Sequence, residues 1–443
     1  MSATLSYTIQ AHSSEVILSN LLQLTNEYVY AAVLHSNLSA EKHQVIAAFG
    51  NTSNTCSYTE VSLKEKWYFG YLAYDLKNQL EDLESLHSDF FNLADSLFFE
   101  PEFVVRIEKG TLLIDCINEK SVDAQTIIDR LTNTNTTTAS PVKTAVQLRQ
   151  RVSKQAYISA VEKIKQHIRR GDIYELNYCM EFYAEKAEID PLHLYQQLNT
   201  ISEAPYSCLV RLNGVWMIGS SPERFLKKEN NKLLTQPIKG TAKRSSNQEE
   251  DHQIKKDLLS SLKERTENVM IVDVARNDLS RIAEKGTVNV DELYGIYTYK
   301  QVHQMISTVS CQLRPQLTFK EIVQATFPMA SMTGAPKISA MKLIAESEVS
   351  RRGLYSGSFG YISPEGNFDF NVIIRSILYN TSNQYLSFSV GSAITHLCDP
   401  EQEYGECLLK AKAMMEVLGS SIPISESLSE MLKQIRGTKL NVE

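Results

Sequence analysis

The stretch that decides the fold spans residues 357–379 and reads GSFGYISPEGNFDFNVIIRSILY. Apolar and aromatic residues dominate two segments in it, 357–362 and 370–378, and the turn-forming letters SPEGN lie between them. Short strands joined by a turn of this kind pair antiparallel. We therefore expect an antiparallel sheet in this part of the chain.

On both sides of this stretch strand signals recur, and they alternate irregularly with helical patterns. A helix begins after Ser153, a plausible N-cap, and Gly171 is its expected stop. The remaining signals are strands at 206–212, 215–219, 232–235 and 385–390, and helices at 250–283, 335–347 and 400–418. This order predicts an α+β fold with antiparallel β-sheets packed with helices, and not a regular βαβ array.

A polar run at residues 132–141, TNTNTTTASP, resembles a linker. It predicts a smaller N-terminal subdomain, 1–140, with strand-like runs at 28–34 and 67–74, and a larger domain, 141–443. Only three of the 18 glycines precede residue 150. Since glycine serves where backbone turns tightly or approaches a ligand, we expect the chemistry in the larger domain.

Composition narrows the class of protein. The 443 residues include 45 Lys plus Arg and 52 Asp plus Glu, so the net charge is -7. This balance disfavours nucleic acid and anionic membrane as partners. No apolar run reaches the ~18 residues of a membrane span, and no secretory signal is recognised. Seven scattered Cys lack any zinc spacing. We expect a cytoplasmic protein.

Two predicted helices each carry a pair of glutamates three residues apart, Glu264 with Glu267 and Glu403 with Glu406. Carboxylates at this spacing project from one side of a helix. Two such pairs could enclose a hard divalent cation, most naturally Mg²⁺. Solvated helix faces explain the same spacing.

Two further residues are candidates for acid–base or nucleophilic work. Lys239 follows a strand-like run and precedes Gly240, which permits a bend that presents the amine to a cleft. Glu223 in GSSPERF lies between apolar neighbours that would raise its pKa, as general-acid work requires. A surface lysine and a glutamate paired with Arg224 are the alternatives.

The glycine-dense C-terminal segment contributes Thr333, Tyr361, Arg375 and Gly391. Arg375 lies in the apolar run NVIIRSILY, which we predict to be a strand. An arginine there needs a partner, either a ligand carboxylate held in a bidentate manner or an internal ion pair.

Five segments taken together are specific: PIKGT, KERTENVMIVDVARNDLSRI, MTGAPKISAMKLI, GSFGYISPEGNFDFNVIIRSI and EQEYGE. Their text and order resemble the chorismate-utilising enzymes over residues 150–418, and more weakly upstream through WYFGYLAYDLKNQLED. The resemblance implies the fold of that family, with an N-terminal subdomain like that of anthranilate synthase component I. PIKGT resembles the branch that forms 4-amino-4-deoxychorismate for p-aminobenzoate and folate.

The resemblance also implies roles. Lys239 would attack C2 of chorismate, Glu223 would protonate the departing 4-hydroxyl, and ammonia would then add at C4. Glu267 and Glu406 would ligate Mg²⁺ directly, with Glu264 and Glu403 acting through water. The substrate would be held by Arg375, Tyr361 and the backbone near Gly391, with Thr241 and Thr333 lining the site.

Three positions depart from the family pattern. Glu175 stands where aminating members have Gln and isochorismate-forming members have a basic Lys, and Gln304 stands where many relatives have His. GSAITHLCDP replaces the usual loop near Ser392 and Ala393. The rivals are anthranilate synthase component I, isochorismate or salicylate synthase, and a non-catalytic homologue.

The chain carries no glutaminase signature. The resemblance therefore implies that ammonia comes from a separate glutamine amidotransferase subunit. Whether the N-terminal subdomain binds tryptophan, as in some relatives, stays open.

Overall fold

The computed structural model describes residues 3–8, 14–38, 44–51, 54–85, 87–117, 123–134 and 146–420. No helix in these ranges is long and apolar enough to cross a membrane. The α-helices in them are α1 (Ser14–Leu24), α2 (Lys77–Leu80), α3 (Ala124–Thr132), α4 (Lys154–Arg170), α5 (Pro191–Ser202), α6 (Gln248–Ser260), α7 (Leu262–Ser280), α8 (Phe319–Thr326), α9 (Lys337–Ser347) and α10 (Pro400–Val417).

The strands form two large sheets. Those of the first half are β1 (Ala3–Thr8), β2 (Tyr30–His35), β3 (Val45–Gly50), β4 (Thr55–Cys56), β5 (Tyr68–Leu72), β6 (Ser96–Phe99), β7 (Phe103–Glu108), β8 (Thr111–Cys116), β9 (Arg149–Gln150), β10 (Glu175–Ala184), β11 (Tyr206–Leu212) and β12 (Val215–Ser221). The others are β13 (Arg224–Glu229), β14 (Lys232–Gln236), β15 (Ile238–Lys243), β16 (Asn289–Thr298), β17 (Val302–Gln312), β18 (Gly334–Ala335), β19 (Ser358–Ile362), β20 (Phe368–Asn371), β21 (Ser376–Asn380) and β22 (Tyr385–Ile394).

Within the described residues the larger sheet has 12 strands in the order β1-β8-β7-β3-β2-β11-β12-β21-β22-β10-β18, with β9 on β10. The other has 10 strands in the order β15-β17-β14-β13-β20-β19-β5-β6-β4, with β16 on β17. The predicted hairpin is β19 with β20, which pair antiparallel. The α+β fold with antiparallel sheets and packed helices is thereby confirmed.

Three hydrophobic clusters define the layers. One joins helices α1, α3, α4, α5 and α10 to the 12-stranded sheet. A second lies between the two sheets, with Val210 and Met217 from one and Phe69 and Phe359 from the other. The third packs α7 and α8 on the 10-stranded sheet. The order of layers is therefore helices, sheet, sheet, helices.

Strands from both sides of the predicted domain boundary share each sheet. In the 12-stranded sheet β2 pairs with β11, and in the 10-stranded sheet β5 pairs with β19. Of the linker, only residues 132–134 lie within the described ranges. The division into 1–140 and 141–443 stays a prediction.

Capping residues set the ends of the predicted helices. The Ser153 side chain accepts a hydrogen bond from the Ala156 N–H at 3.2 Å, and Gly171 ends α4 at a φ of +83°. The helix predicted at 250–283 is two helices. Ser261 divides them, because it leaves the helical conformation and its hydroxyl caps α7 at the Glu264 N–H, 3.4 Å away.

The strand predicted at 370–378 is wrong, and with it the placing of Arg375 in a strand. The chain leaves the 10-stranded sheet after β20 and joins the 12-stranded sheet at β21. Arg375 lies between them at a φ of +49°, and its carbonyl accepts a hydrogen bond from the Ser220 N–H at 3.1 Å. The run of apolar residues continues from one sheet to the other because both sheets bury their side chains.

A buried ion pair joins the segments around β10. The Arg352 guanidinium donates to both carboxylate oxygens of Glu348, at 2.6 and 2.8 Å, and neither residue is more than 6% exposed. Arg352 also donates to the carbonyls of Met332 and Asn177, at 2.7 and 2.8 Å. Glu348 accepts from the Cys179 N–H at 2.8 Å. The pair therefore fixes α9, β10 and the turn before β18 relative to one another.

Replacing Arg352 by methionine should lower the free energy of unfolding by about 3–5 kcal/mol, because Glu348 would stay buried without its cation. Urea unfolding measures the change. Arg276→Met is the matched control, since the Arg276–Asp273 pair is exposed and contributes about 0–1 kcal/mol. Equal losses in the two variants would contradict the role given to the buried pair.

Candidate active site

A bulge in β15 brings Lys239 inside the protein. The pairing of β15 with β17 shifts register between Ile238 and Thr241, and Gly240 has a φ of +92°. A Cβ on Gly240 would lie 3.1 Å from a Glu264 carboxylate oxygen, so glycine lets the strand approach α7. Lys239 is only 9% exposed, which excludes the surface lysine of the alternative interpretation.

The ammonium group of Lys239 is paired with Glu175, whose Oε1 accepts its hydrogen bond. Glu175 is 1% exposed, and its other oxygen, Oε2, has no hydrogen-bond partner among the described residues. Burial alone would lower the pKa of Lys239, but the charges of Glu175, Glu267 and Glu223 raise it. The lysine is therefore held as an ammonium ion.

Glu223 lies in the short connection between β12 and β13 and is 4% exposed. Burial raises the pKa of Glu223 to about 7, although the Ser331 hydroxyl and the charge of Lys239 oppose the rise. Its backbone is fixed, because its carbonyl accepts from the Val372 N–H at 3.0 Å. A carboxyl group with this pKa can hold a proton near neutral pH and donate it.

The two glutamate pairs lie on α7 and α10, as predicted. Burial raises the pKa of Glu264 and of Glu403, and raises that of Glu267 to about 7. The Oε1 atom of Glu267 is buried and has no hydrogen-bond partner among the described residues. For Glu406 burial acts in the same direction, but Lys410 outweighs it and holds the pKa of Glu406 low.

Two lysines that the sequence analysis did not single out neutralise these carboxylates. The Lys263 Nζ lies 3.6 Å from Glu403 and 4.0 Å from Glu267, so it bridges α10 and α7. Lys410 lies 2.7 Å from Glu406 and donates to the Gly391 carbonyl at 2.8 Å. Two of these pairs, Lys263 with Glu267 and Glu406 with Lys410, are four residues apart, a spacing that the sequence already displays.

The donor set suits a hard cation, which prefers carboxylate oxygens. The Glu267 Oε1 atom accepts no hydrogen bond from the described residues and is available to bind such a cation. A divalent cation would also offset the mutual repulsion of the glutamates. No three acidic, histidine or cysteine side chains in the described ranges already stand where they could hold a metal ion together. Lys263 lies between Glu267 and Glu403 instead.

The structure brings some of the predicted substrate-binding residues together. The charges of Glu223 and Glu406 act on Arg375, and burial lowers the pKa of its guanidinium. Gly391 lies on β22 beside Lys410. Thr241 is exposed on β15, and the buried Thr333 donates its hydroxyl to the Met329 carbonyl of its own turn at 3.0 Å.

Tyr361 is not brought to this group. It packs against Phe69 and Trp67, with ring centroids 5.8 and 6.1 Å apart, and lines a cavity of about 480 Å³ between N-terminal strands and β13. A role for Tyr361 in holding the substrate stays a prediction.

Gln304 is a further residue without a full set of partners. It is 1% exposed on β17, opposite Thr241, and its Oε1 has no hydrogen-bond partner among the described residues. His303, its neighbour, is fully buried and bonds Asp251 at 2.8 Å. His303 is therefore engaged on the side of α6.

The chain belongs to the chorismate binding enzyme family, whose model matches residues 10–416. It is therefore an enzyme that acts on chorismate. It is 34% identical over 352 residues to an anthranilate synthase component I-like protein from Synechocystis, covering 79% of this chain and 72% of the relative. It is also 34% identical over 366 residues to the chloroplastic aminodeoxychorismate synthase of Arabidopsis thaliana, covering 78% of this chain and 39% of that protein. The chain thus spans about two fifths of the length of that synthase.

Solved structures share the fold. Anthranilate synthase component I from Streptococcus pneumoniae aligns with a TM-score of 0.70 at 23% identity, over 93% of this chain and 92% of the other. The isochorismate synthase MenF from Escherichia coli aligns with a TM-score of 0.75 at 16% identity, over 95% of each chain. Proteins named for different products therefore share this fold, so the fold alone does not identify a product.

Replacing Glu223 by glutamine tests the burial of this carboxyl through stability. Because the folded-state pKa of Glu223 is about 7 against an ordinary 4.5, the folded protein binds this proton more tightly. Wild-type stability should therefore fall as pH rises between these two values, and the Gln variant should escape the loss. From pH 5 to pH 8 the variant should gain about 2–3 kcal/mol on the wild type in urea unfolding.

Glu162→Gln, at an exposed position on α4, is the control and should show no such gain. A difference between Glu223→Gln and wild type that stays constant with pH would contradict a raised pKa for Glu223.

Proposed function

We propose that the protein catalyses the Mg²⁺-dependent amination of chorismate with ammonia to 4-amino-4-deoxychorismate, a step toward p-aminobenzoate and folate. The observation that carries the proposal is the buried Lys239, which is paired with Glu175 and whose charge also interacts with Glu223 and Glu267. A nucleophile, an acid and a carboxylate cluster thus share one electrostatic environment. The aminodeoxychorismate synthases among the relatives support the same product.

Lys239 is the nucleophile in this proposal. Its Nζ lone pair attacks C2 of chorismate, the double bonds shift, and the C4–O bond breaks. Hydroxide is a poor leaving group, so Glu223 donates a proton and the group departs as water. The covalent adduct divides one difficult displacement into two easier steps.

Glu267 and Glu406 would bind Mg²⁺ directly, with Glu264 and Glu403 acting through water. When bound, the ion draws a substrate carboxylate to a cluster that would otherwise repel it. Arg375 would hold a carboxylate as well, together with the backbone of Gly391, while Thr241 and Thr333 would line the site. Lys263 would have to leave the space between the two helices as the ion enters.

In this proposal a glutamine amidotransferase partner supplies the ammonia, and the reaction takes place in the cytoplasm. Free ammonium would replace this partner in a purified system. Neither nucleic acid nor membrane is an expected partner.

Anthranilate synthesis is the second candidate, since the relatives include the anthranilate synthase component 1 of Aquifex aeolicus, at 33% identity. The motif PIKGT argues against this product, because the anthranilate branch of the family usually has alanine at the position of Lys239. Isochorismate or salicylate synthesis is disfavoured, because Glu175 occupies the position of the expected basic lysine and is paired with Lys239.

The product identifies the reaction. Protein, chorismate, Mg²⁺ and ammonium should yield 4-amino-4-deoxychorismate, recognised by its mass and by conversion to p-aminobenzoate when a separate lyase is added. Fluorescent anthranilate, or isochorismate without nitrogen, would overturn the assignment.

Lys239→Ala should lower formation of the aminated product by about 100-fold or more, since the covalent route would be lost. The control is Lys243→Ala, an exposed lysine on the same strand. An unchanged rate in Lys239→Ala would eliminate the covalent mechanism.

Lys263→Met should strengthen Mg²⁺ binding about tenfold, because the ion no longer competes with an ammonium between Glu267 and Glu403. Calorimetric titration with Mg²⁺ in the absence of chorismate measures the affinity independently of turnover. Lys256→Met, an exposed position on α6, controls for the change in net charge. Equal affinity in the two variants would show that Lys263 does not occupy the ion's place.

A further inference from the structure

We propose that Glu175 is the proton acceptor that releases the Lys239 amine for attack and later returns the proton. This inference rests on the proposed function, since it assigns a role within the same covalent route. Glu175 is a position where the sequence departs from the family pattern, so the pattern itself supplies no role for this carboxylate.

The backbone holds Glu175 in place. It opens β10, its Cα is paired with Ala335 of β18, and the neighbouring Tyr174 N–H donates to the Ala335 carbonyl at 2.7 Å. Gly334 makes this approach possible, because a Cβ there would lie 2.1 Å from the Glu175 carbonyl oxygen. The strand β18 is thus fitted against Glu175, and the carboxylate projects from a rigid element.

The contacts select Glu175 among the acids around Lys239. It is the one carboxylate in hydrogen-bond contact with the Lys239 Nζ within the described ranges. Its Oε2 is buried without a partner, so the carboxylate keeps a free acceptor after Oε1 has bonded. The charged groups that interact with Lys239 lie on β10, the β12–β13 connection, α7 and α10, and they are Glu175, Glu223, Glu264, Glu267, Glu406 and Lys410.

Each of the other acids has a different task or partner. Glu223 must hold a proton to donate it to the leaving hydroxyl, so it cannot accept one first. Glu264 and Glu267 belong to the proposed metal cluster, and Glu406 is paired with Lys410. An ammonium ion has no lone pair and cannot attack carbon, so Lys239 needs an acceptor, and Glu175 is the group in contact with it.

The protons balance over the cycle. Glu175 takes one proton from the Lys239 ammonium, the freed lone pair forms the N–C2 bond, and the C4–O bonding electrons leave with the hydroxyl as Glu223 protonates it to water. Ammonia then forms the C4–N bond, the double bonds shift back, and the N–C2 electrons return to Lys239. Glu175 returns its proton to the lysine, and the new C4 ammonium reprotonates Glu223. The sum is chorismate plus ammonia giving 4-amino-4-deoxychorismate plus water.

The test uses the full chain, chorismate and Mg²⁺ without ammonia, with covalent adduct on Lys239 followed by mass spectrometry after rapid quenching. Glu175→Gln keeps the size of the side chain but cannot accept the proton, which must then pass to solvent. The ratio of variant to wild-type rates should be about 0.01 at pH 6 and rise with pH, up to tenfold per unit. Because Glu223 titrates in both proteins, dividing the variant rate by the wild-type rate cancels the pH dependence that Glu223 contributes.

Formate supplies the second readout. In Glu175→Ala, added formate should restore adduct formation at pH 6 in proportion to its concentration, because a small carboxylate can fill the vacated space. A ratio that does not change with pH, together with no rescue by formate, would leave Glu175 with a structural role and overturn the proposal.

A separate measurement distinguishes failure of this inference from failure of the proposed function. The reactivity of Lys239 toward acetic anhydride, mapped by peptide mass spectrometry across pH, needs no chorismate. Glu175→Gln should move the midpoint of this reaction down by about one pH unit or more, since burial then acts on an unpaired lysine. An unmoved midpoint overturns the inference whatever the product is. A wild type that shows the pairing but forms no adduct refutes the covalent function, and the role of Glu175 falls with it.

Discussion

The bidentate pair between Arg352 and Glu348 is the constraint on which the site depends. It joins α9, β10 and the turn before β18, and β10 carries Glu175, which is the partner of Lys239. Two buried charges are unfavourable unless their hydrogen bonds are satisfied, and here backbone groups complete the set. The pair therefore fixes positions more than it adds net stability.

Around the site, four of the acidic groups have a lysine close to them. Lys239 faces Glu175, Lys263 bridges Glu267 and Glu403, and Lys410 holds Glu406 and the β22 backbone. A chain of net charge -7 thereby offers cationic groups to an anionic substrate. Net charge excluded some partners, but local pairing determines what the site can bind.

The sequence predicted features that depend on neighbours along the chain. Helix ends at Ser153 and Gly171, the hairpin of β19 and β20, and the helical glutamates all follow from spacing and capping. Features that depend on distant segments were missed: the contact between Glu175 and Lys239 joins residues 64 positions apart. The crossing at Arg375 was also missed, because burial on both sides gives the same apolar letters as a strand.

The sharing of both sheets by the two parts of the chain has a consequence for dissecting the protein. Separating residues 1–140 from the rest would open the β2–β11 seam in one sheet and the β5–β19 seam in the other. Each fragment would then expose two rows of unpaired backbone groups, which attract other strands. The two fragments should therefore complement each other. When they are co-expressed, they should reassemble by restoring the β2–β11 and β5–β19 strand pairings together.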